Sequence, residues 1–350
     1  MVYFNNFIYI FMKKYVLLFF QCFVFCFFSY GQVQNLPLIT SRARVIIDND
    51  FSGDPDGLFQ LAHLALSPSV EIRGVIGSHL RPNDWFDSSA IQAEHATAKA
   101  KTLLSTLHLN NRIPVFIGSN TAMLNDSTPV QSEAIDFIIR EALRVDTKEP
   151  LYILCGAGLT EVASAVLKAP EIAGKFTLIW IGGPEYPDLA PPPPRASGIE
   201  YNLNIDIAAA KVIFTRSTVS IWQVPRNTYR QPLIAYAELI EKVKPYGETG
   251  RLLVTALEDL MRKVQKSGGN LGETYILGDS PLVLLSALQS PYEPDPSSST
   301  YVTRKAPRIN NEGTYEDNPD GRKMRVYMSL DIRLLFEDFF SKIKMLNRLH

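Results

Sequence analysis

Short apolar runs alternate with helix-like stretches from Arg44 onward, and this alternation limits the possible folds more than any other feature of the sequence. Strand and helix predictions pair as 45–47 with 58–66, 70–76 with 89–106, 114–117 with 133–143, 151–154 with 160–167 and 176–181 with 207–214, and 219–224 is a further strand. Alternation over about 180 residues predicts an α/β fold, an open and mostly parallel sheet with helices on both faces. No linker divides it, so we predict a single domain over 44–350, preceded by a lead-in at 32–43.

Residues 1–31 have the composition of a secretory leader. They contain no acidic residue, two lysines and then the apolar run Tyr15–Phe28, and Ser29 and Gly31 supply small residues at the −3 and −1 positions. Because this run is short for a membrane span, we predict a signal peptide that is cleaved after Gly31. The mature protein is then secreted or periplasmic, and an uncleaved membrane anchor is the alternative.

Cleavage would leave a chain that depends on its core for stability. Cys155 would be its one cysteine, so no internal disulfide can form. Losing Lys13 and Lys14 changes the formal net charge from −1 to −3. So small a charge predicts no nucleic-acid surface and, once the signal is removed, no membrane surface.

Two proline-rich stretches interrupt the alternation. Pro187–Ser197 contains four consecutive prolines, which predicts a stiff, extended surface loop. Residues 291–319 are rich in Pro, Ser, Asp and Asn, so we predict a long loop there, either a lid or an insertion without a role.

The segment 48–57 lies between the first strand and its helix and reads Asp-Asn-Asp-Phe-Ser-Gly-Asp-Pro-Asp-Gly. In open α/β sheets ligands bind beyond the carboxyl ends of the strands, where this turn lies. Its carboxylates repel one another unless a cation or several donors compensate them, and a hard, oxygen-binding ion is the economical explanation. The four are Asp48, Asp50, Asp54 and Asp56. A solvated acidic turn that caps the helix is the alternative.

Five further segments follow the acidic turn along the chain. They are Ile-Pro-Val-Phe-Ile-Gly at 113–118, Gly-Leu-Thr-Glu-Val-Ala at 158–163, Trp-Ile-Gly-Gly at 180–183, Glu-Tyr-Asn-Leu-Asn-Ile-Asp-Ile-Ala-Ala-Ala-Lys at 200–211, and Gly-Asp-Ser-Pro-Leu at 278–282. With the turn, and in the same order, they resemble the signature segments of the inosine-uridine preferring nucleoside hydrolases. The likeness runs from about Arg44 to Leu288, and the combination is more specific than any single segment.

This resemblance implies hydrolysis of the N-glycosidic bond of ribonucleosides with the help of a bound Ca²⁺. Such a reaction passes through an oxocarbenium-like sugar, which water attacks from the face opposite the base. By position in the motif, Asp50 is the implied general base and calcium ligand, and Asp56 faces the ribose diol and joins the metal site. Asp279 is a further implied ligand, with a backbone carbonyl of Cys155 or Gly156.

The resemblance also implies that Glu200 and Asn202 hold the sugar hydroxyls, and that the protein forms a homo-oligomer, as family members commonly do. Structural alternatives stand beside these roles. Asp279 has the position of a cap for the helix 281–288, and Glu200 and Asn202 are compatible with ordinary loop residues. Cys155 has the character of a small buried hydrophobe rather than a nucleophile.

Two positions depart from the family pattern. Gly57 stands where members usually have the second of two adjacent Asp, which removes one metal ligand that Asp54 can replace. Gly278 stands where many members have a His that protonates the leaving base. Either another donor or a leaving group that departs unaided is then needed. The candidate donors are Tyr201, the 187–197 loop and His79, which follows a strand end and which we place at the substrate.

Two other functions fit part of the sequence. In a haloacid-dehalogenase phosphatase, Asp48 would be the nucleophile, Asp50 the acid and Asp279 an Mg²⁺ ligand, but Val283 stands where that scheme wants a second acid. A non-catalytic, calcium-dependent nucleoside- or sugar-binding protein on the same scaffold explains the lost Asp and His, although it gives Asp50 no reason to persist.

Overall fold

A computed structural model describes residues 36, 38–194, 196, 198–290 and 298–346. The predicted signal peptide at 1–31 and residues 32–35 of the lead-in lie outside the described residues. None of the helices in the described ranges is long and apolar enough to cross a membrane.

The described residues form twelve strands, most of them short. They are β1 Arg44–Asn49, β2 Glu71–Gly77, β3 Val115–Ile117, β4 Leu151–Cys155, β5 Thr177–Ile181, β6 Ser220–Val224, β7 Leu233–Ala235, β8 Thr274–Ile276, β9 Ser299–Lys305, β10 Arg308–Ile309, β11 Tyr315–Glu316 and β12 Lys323–Leu330.

Eleven α-helices alternate with these strands in the same part of the chain. They are α1 Asp56–Ala65, α2 Gln92–Thr106, α3 Glu133–Ala142, α4 Thr160–Lys168, α5 Tyr201–Ile205, α6 Ile207–Lys211, α7 Arg226–Tyr229, α8 Tyr236–Lys242, α9 Gly247–Lys266, α10 Pro281–Ala287 and α11 Ile332–Leu346. A π-turn at Val212–Arg216 extends α6, and Pro170–Ile172 is a short 3₁₀ helix.

Eight strands make one central sheet in the order β3-β2-β1-β4-β5-β6-β12-β9. All neighbours run parallel except the edge pair of β9 and β12. The chain moves outward from β1 to β2 and β3 and then returns to add β4 on the other side of β1. This reversal opens a crevice beyond the carboxyl ends of β1 and β4, which is where open α/β sheets bind ligands.

The core lies on both faces of this sheet, because alternate strand residues point to opposite sides. Ile46 of β1 and Ile153 of β4 join an apolar cluster that includes Ile138 of α3. The next residues along the two strands, Ile47 and Leu154, are also completely buried. A sheet covered on both faces has near-continuous apolar strands, as β1 and β4 have.

The structure confirms the predicted fold class, an open, mostly parallel sheet with helices. It differs from the predicted loop at 291–319, whose described part contains β9, β10 and β11. β9 pairs antiparallel with β12 because its centre, Tyr301-Val302-Thr303, is aromatic and β-branched and suits an edge strand. The segment 225–277, for which the alternation predicts no element, contains α7, β7, α8, α9 and β8.

Candidate active site

A cavity of about 600 Å³ opens at the carboxyl edge of the central sheet. Its polar lining includes seven residues with predicted roles, namely Asp50, Asp54, Asp56, Glu200, Tyr201, Asn202 and Asp279. Aromatic and aliphatic side chains line it as well, among them Phe86, Tyr229, Leu233, Tyr275 and Ile276. A lining of this mixed kind, in a cavity of this size, is typical of small-molecule sites.

The acidic turn is held by hydrogen bonds within it and to the end of β8. Asp50 follows β1 directly, and its carbonyl accepts from Gly53 N at 2.7 Å. Asp54 Oδ1 accepts from Asp56 N at 3.0 Å, which directs the chain into α1. Asp56 Oδ2 accepts from Asp279 N at 3.1 Å. Two acids that are distant in the sequence therefore meet at one wall of the cavity.

Burial and mutual repulsion make these carboxylates difficult to ionise. Burial raises the pKa of Asp50 well above its ordinary range, and the charges of Asp279, Asp54 and Asp84 raise it further. Burial likewise raises the pKa of Asp56, with repulsion from Asp279, Asp54 and Asp50. The pKa of Asp279 rises to about 7 through burial, although a hydrogen bond from Asn49 lowers it. No cation is among the main influences on the pKa values of Asp50, Asp56 and Asp279, so repulsion within the cluster is not offset there.

These residues fit a hard divalent cation in the chemistry of their donors. Carboxylate oxygens are the ligands that Ca²⁺ prefers, and the uncompensated repulsion among Asp50, Asp56 and Asp279 is what such an ion relieves. The residues match Ca²⁺ in the type and charge of their donor atoms. They do not form a complete coordination shell, since the described residues contain no group of three or more His, Cys, Asp or Glu arranged as a metal site.

Glu200 and Asn202 stand at the start of α5 and are fixed by several hydrogen bonds. Glu200 Oε2 accepts from Gly183 N at 2.7 Å and from Leu203 N at 3.0 Å, the second bond capping the helix. Its Oε1 accepts from Tyr229 Oη at 2.7 Å. Asn202 Nδ2 donates to the carbonyls of Ile181 and Gly156, at 2.8 and 3.3 Å. Both side chains thus line the cavity in defined orientations.

The structure places His79 and Cys155 away from the predicted roles. His79 is 1% exposed, with Nδ1 2.8 Å from Leu80 O and Nε2 3.1 Å from Thr160 Oγ1, and neither it nor Cys155 lines the cavity. Cys155 Sγ lies 3.1 Å from Gly158 O, and burial raises its thiol pKa. Of the two residues offered for a backbone carbonyl, Gly156 is the one that lines the cavity.

Asp48 faces the interior of the fold instead of the cavity. It is completely buried, and its Oδ1 accepts a hydrogen bond from Ser78 Oγ. Burial raises its pKa, and the nearby Glu161 carboxylate raises it further. A nucleophile must reach its substrate, so this position contradicts the phosphatase scheme in which Asp48 attacks.

Several cavity residues were not found by sequence reasoning. Tyr229, Arg230, Leu233, Tyr275 and Ile276 all come from the 225–277 segment, where no motif was recognised. One signal was available, because Tyr229 and Arg230 follow the predicted strand 219–224 and so lie near the same sheet edge as the acidic turn. Gly278 also lines the cavity, and a Cβ there would lie 3.1 Å from Asp56 Oδ2.

Comparisons with known proteins agree with this geometry. Residues 45–331 match the family model for inosine-uridine preferring nucleoside hydrolases. A plant nucleoside hydrolase structure is 19% identical, with a TM-score of 0.65 over 87% of this chain and 99% of its own. A purine-preferring ribonucleoside hydrolase from Gardnerella vaginalis is 18% identical, with a TM-score of 0.65 over 88% and 100% of the two chains.

An inosine-uridine preferring nucleoside hydrolase from Bacillus anthracis is 16% identical, with a TM-score of 0.60 over 87% of this chain and 99% of its own. At these identities the structural likenesses show a shared fold. No curated protein matches the sequence significantly.

Proposed function

The chain belongs to the family of inosine-uridine preferring nucleoside hydrolases and is an N-glycosidic bond hydrolase, and from this premise we propose that it converts ribonucleosides to free base and ribose with Ca²⁺ and Asp50. The observation that carries the proposal is the meeting of Asp50, Asp56 and Asp279 with Glu200 and Asn202 around one cavity. The three similar proteins are named as nucleoside or ribonucleoside hydrolases, in agreement with this substrate class.

The cavity offers suitable partners for both halves of a nucleoside. Glu200, Asn202 and Asp56 supply acceptors for sugar hydroxyls. Phe86 and Tyr275 supply aromatic surface for a planar base, and Arg230 supplies donors for its polar edge. A volume of about 600 Å³ leaves room for a ligand of this size.

Asp50 is the proposed general base. It lies directly beyond the buried strand β1, lines the cavity, and has a raised pKa, so it accepts a proton more readily than an exposed carboxylate. When bound, Ca²⁺ supplies a lowered water pKa and orders the sugar diol. Its proposed ligands are Asp50, Asp56 and Asp279, with Asp54 and the Gly156 carbonyl at the same cavity.

The departing base needs a proton or a hydrogen bond, and Tyr201 is the proposed donor. It lines the cavity at the start of α5, and Arg81 lies over its ring at 4.4 Å. A tyrosine hydroxyl is protonated at neutral pH and burial raises the pKa of Tyr201 further, so its proposed role is a hydrogen-bond donor to the departing base. The other candidates, His79 and the described residues of the 187–197 loop, do not line the cavity.

Two accompanying proposals concern the whole protein. The leader at 1–31 supports export to a secreted or periplasmic location, and N-terminal sequencing of the mature protein should begin at Gln32. An N-terminus that retains the apolar run would contradict cleavage. A homo-oligomer remains the expectation from the family, and light scattering of the purified protein measures it.

The reaction is tested by free-base release from a panel of purine and pyrimidine ribonucleosides, with Ca²⁺ and with a chelator. We expect release that the chelator abolishes and that added Ca²⁺ restores. Equal release with and without chelator would contradict the role of the cation. Binding of nucleosides without release would contradict the reaction and would favour the binding-protein alternative.

A further inference from the structure

Asn49 connects the end of β1 to a site residue that lies 230 positions further along the chain. It is completely buried. Its Nδ2 donates to Asp279 Oδ2 at 2.8 Å and to Gln60 Oε1 at 3.3 Å. Its Oδ1 has no hydrogen-bond partner in the described part of the chain. The main polar contact of Asn49 is therefore with a carboxylate of the cavity.

Gly57 leaves the space that the Asn49 amide occupies. A Cβ added at Gly57 would lie 2.9 Å from Asn49 Nδ2, 3.1 Å from its Cγ and 3.2 Å from its Oδ1. All three distances are shorter than normal van der Waals contacts. The amide is completely buried and hydrogen-bonded to Asp279 and Gln60. A side chain at position 57 therefore requires a shift of the Asn49 amide, the group that donates to Asp279.

Gly156 limits the same group from the other side. A Cβ there would lie 2.6 Å from Asn49 Nδ2 and 2.7 Å from Asp279 Oδ1. Two glycines on different elements, one at the start of α1 and one after β4, thus enclose the Asn49–Asp279 hydrogen bond. This arrangement gives a physical reason for the glycine at position 57, where the family pattern named above leads one to expect an acid.

The hydrogen bond matters because Asp279 is buried among other acids. Asn49 Nδ2 donates to Asp279 Oδ2 at 2.8 Å, in a cavity whose wall also includes Asp50 and Asp56. Donation to Oδ2 also fixes the rotation of the carboxylate. Groups that orient a metal ligand from behind commonly change metal affinity by about 10- to 100-fold when they are removed.

We propose that Asn49 is a positioning residue that holds Asp279 at the cation site, and that Gly57 is required because Asn49 occupies its side-chain space. The cation part rests on the proposed function. The coupling between positions 49 and 57 is a property of the fold and does not depend on it.

The test uses Asn49→Ala, Gly57→Ala and the double variant N49A/G57A, with Gly174→Ala as the matched control because a Cβ at Gly174 has no atom within 4 Å. Ca²⁺ affinity is measured by titration calorimetry, and stability by thermal melting in chelator. Weakened Ca²⁺ binding separates a positioning role from a structural one, since a merely structural loss lowers the melting temperature and leaves the affinity of the folded protein unchanged.

We expect N49A and G57A each to weaken Ca²⁺ binding by about 10- to 100-fold, and G174A to leave it unchanged. In the double variant the methyl group occupies space that the amide has left, so we expect affinity and melting temperature no lower than in N49A. Should G57A fail to fold while the double variant folds, the coupling is supported.

Unchanged Ca²⁺ affinity in N49A would overturn the positioning role. The coupling would be overturned if the loss of melting temperature in the double variant equalled the sum of the losses in N49A and G57A. It would also be overturned if neither G57A nor the double variant folded. If the unmodified protein binds no Ca²⁺, the positioning role and the proposed function both fail. In that case the melting temperatures in chelator still test the coupling between positions 49 and 57. Failure of the proposed function can therefore be told apart from failure of the coupling.

Discussion

Asp50, the proposed general base, lines the cavity and is buried, and its pKa is raised. Asp50→Asn keeps the size of the side chain and removes proton acceptance. A general base contributes about 10²- to 10⁴-fold to rate, so we expect a loss of kcat in that range, together with weaker Ca²⁺ binding. Steady-state base release and calcium titration measure the two effects. Retention of full turnover and full calcium affinity by D50N would refute both roles of Asp50.

Tyr229 supports Glu200, which belongs to the proposed sugar-binding side of the cavity. Its hydroxyl donates to Glu200 Oε1 at 2.7 Å, and hydrogen bonds to charged groups contribute about 1.5–3 kcal/mol. Tyr229→Phe should therefore lower the free energy of unfolding by about that amount in urea denaturation, and should raise KM because Glu200 loses one of its three donors. Tyr246→Phe is the control, because the described residues give the Tyr246 hydroxyl no hydrogen-bond partner. Equal stability losses in both variants would contradict this assignment.

Sequence reasoning placed correctly at the cavity those residues whose position depends on their immediate neighbours, such as Asp50, Asp54 and Asp56. The acids of the turn follow an apolar strand and precede a helix, and a local pattern reveals both. It failed for His79, which also follows a strand end, because the ring turns inward to Thr160, a contact 81 positions away. It passed over Asn49 for the same reason, since the contact of that residue with Asp279 spans the domain.

The contact between α1 and α11 contains a buried histidine whose charge opposes folding. His63 Nε2 lies 2.7 Å from Asp338 Oδ2, and Lys342 Nζ lies 2.5 Å from the same oxygen and 2.8 Å from Ser67 Oγ. Asp338 is therefore already paired with one cation. Burial lowers the pKa of His63 to about 4, and repulsion from Lys342 adds to the effect, although Asp338 opposes it.

This lowered pKa predicts loss of stability in mild acid. In the unfolded chain His63 binds its proton near pH 6.5, and in the folded protein only near pH 4. The free energy of unfolding therefore keeps the full contribution of neutral His63 above pH 6.5 and loses it as the pH falls from 6.5 to 4. A difference of this size corresponds to about 3 kcal/mol. We expect His63→Gln to remove that part of the pH dependence, measured by urea denaturation at pH 7 and pH 4.5. Identical pH profiles for H63Q and the unmodified protein would contradict it.

Elements were predictable where strand and helix alternate regularly. The strands from β1 to β6 follow the apolar runs, because a strand covered on both faces must be apolar throughout. The segment 225–277 was not predictable in this way, since its strands β7 and β8 have only three residues each and form a separate small sheet. The side chains that this segment adds to the cavity depend on tertiary packing.

At the scale of the whole molecule, the cavity is assembled from segments that span most of the chain. Asp50, Gly156, Glu200, Tyr229 and Asp279 come from five separate segments and meet at one edge of the sheet. Parallel topology explains why motifs so far apart in the sequence act together, because the carboxyl ends of parallel strands share that edge. The family resemblance predicted that the acids and Glu200 lie close together, whereas the composition of the chain does not predict which residues meet.

From the same assembly we predict that the stability of the molecule depends on the proposed cation. Without one, folding gathers Asp50, Asp56 and Asp279 into a buried site where they repel one another. An ion that binds the folded protein and not the unfolded chain stabilises it by about 2.7 kcal/mol at 100 times its Kd. Ca²⁺ should therefore raise the melting temperature in a concentration-dependent manner, and chelator should reverse the rise.

Mg²⁺ provides the comparison ion for this measurement. It requires near-ideal octahedral geometry and dehydrates reluctantly, whereas Ca²⁺ accepts irregular sets of carboxylate and carbonyl oxygens. We therefore expect a smaller rise with Mg²⁺ at equal concentration, and no rise with Ca²⁺ in Asp279→Asn if that carboxylate is a required ligand. An equal rise in the unmodified protein and in D279N would mean that calcium stabilises the protein from another site, and would remove Asp279 from the proposed metal centre.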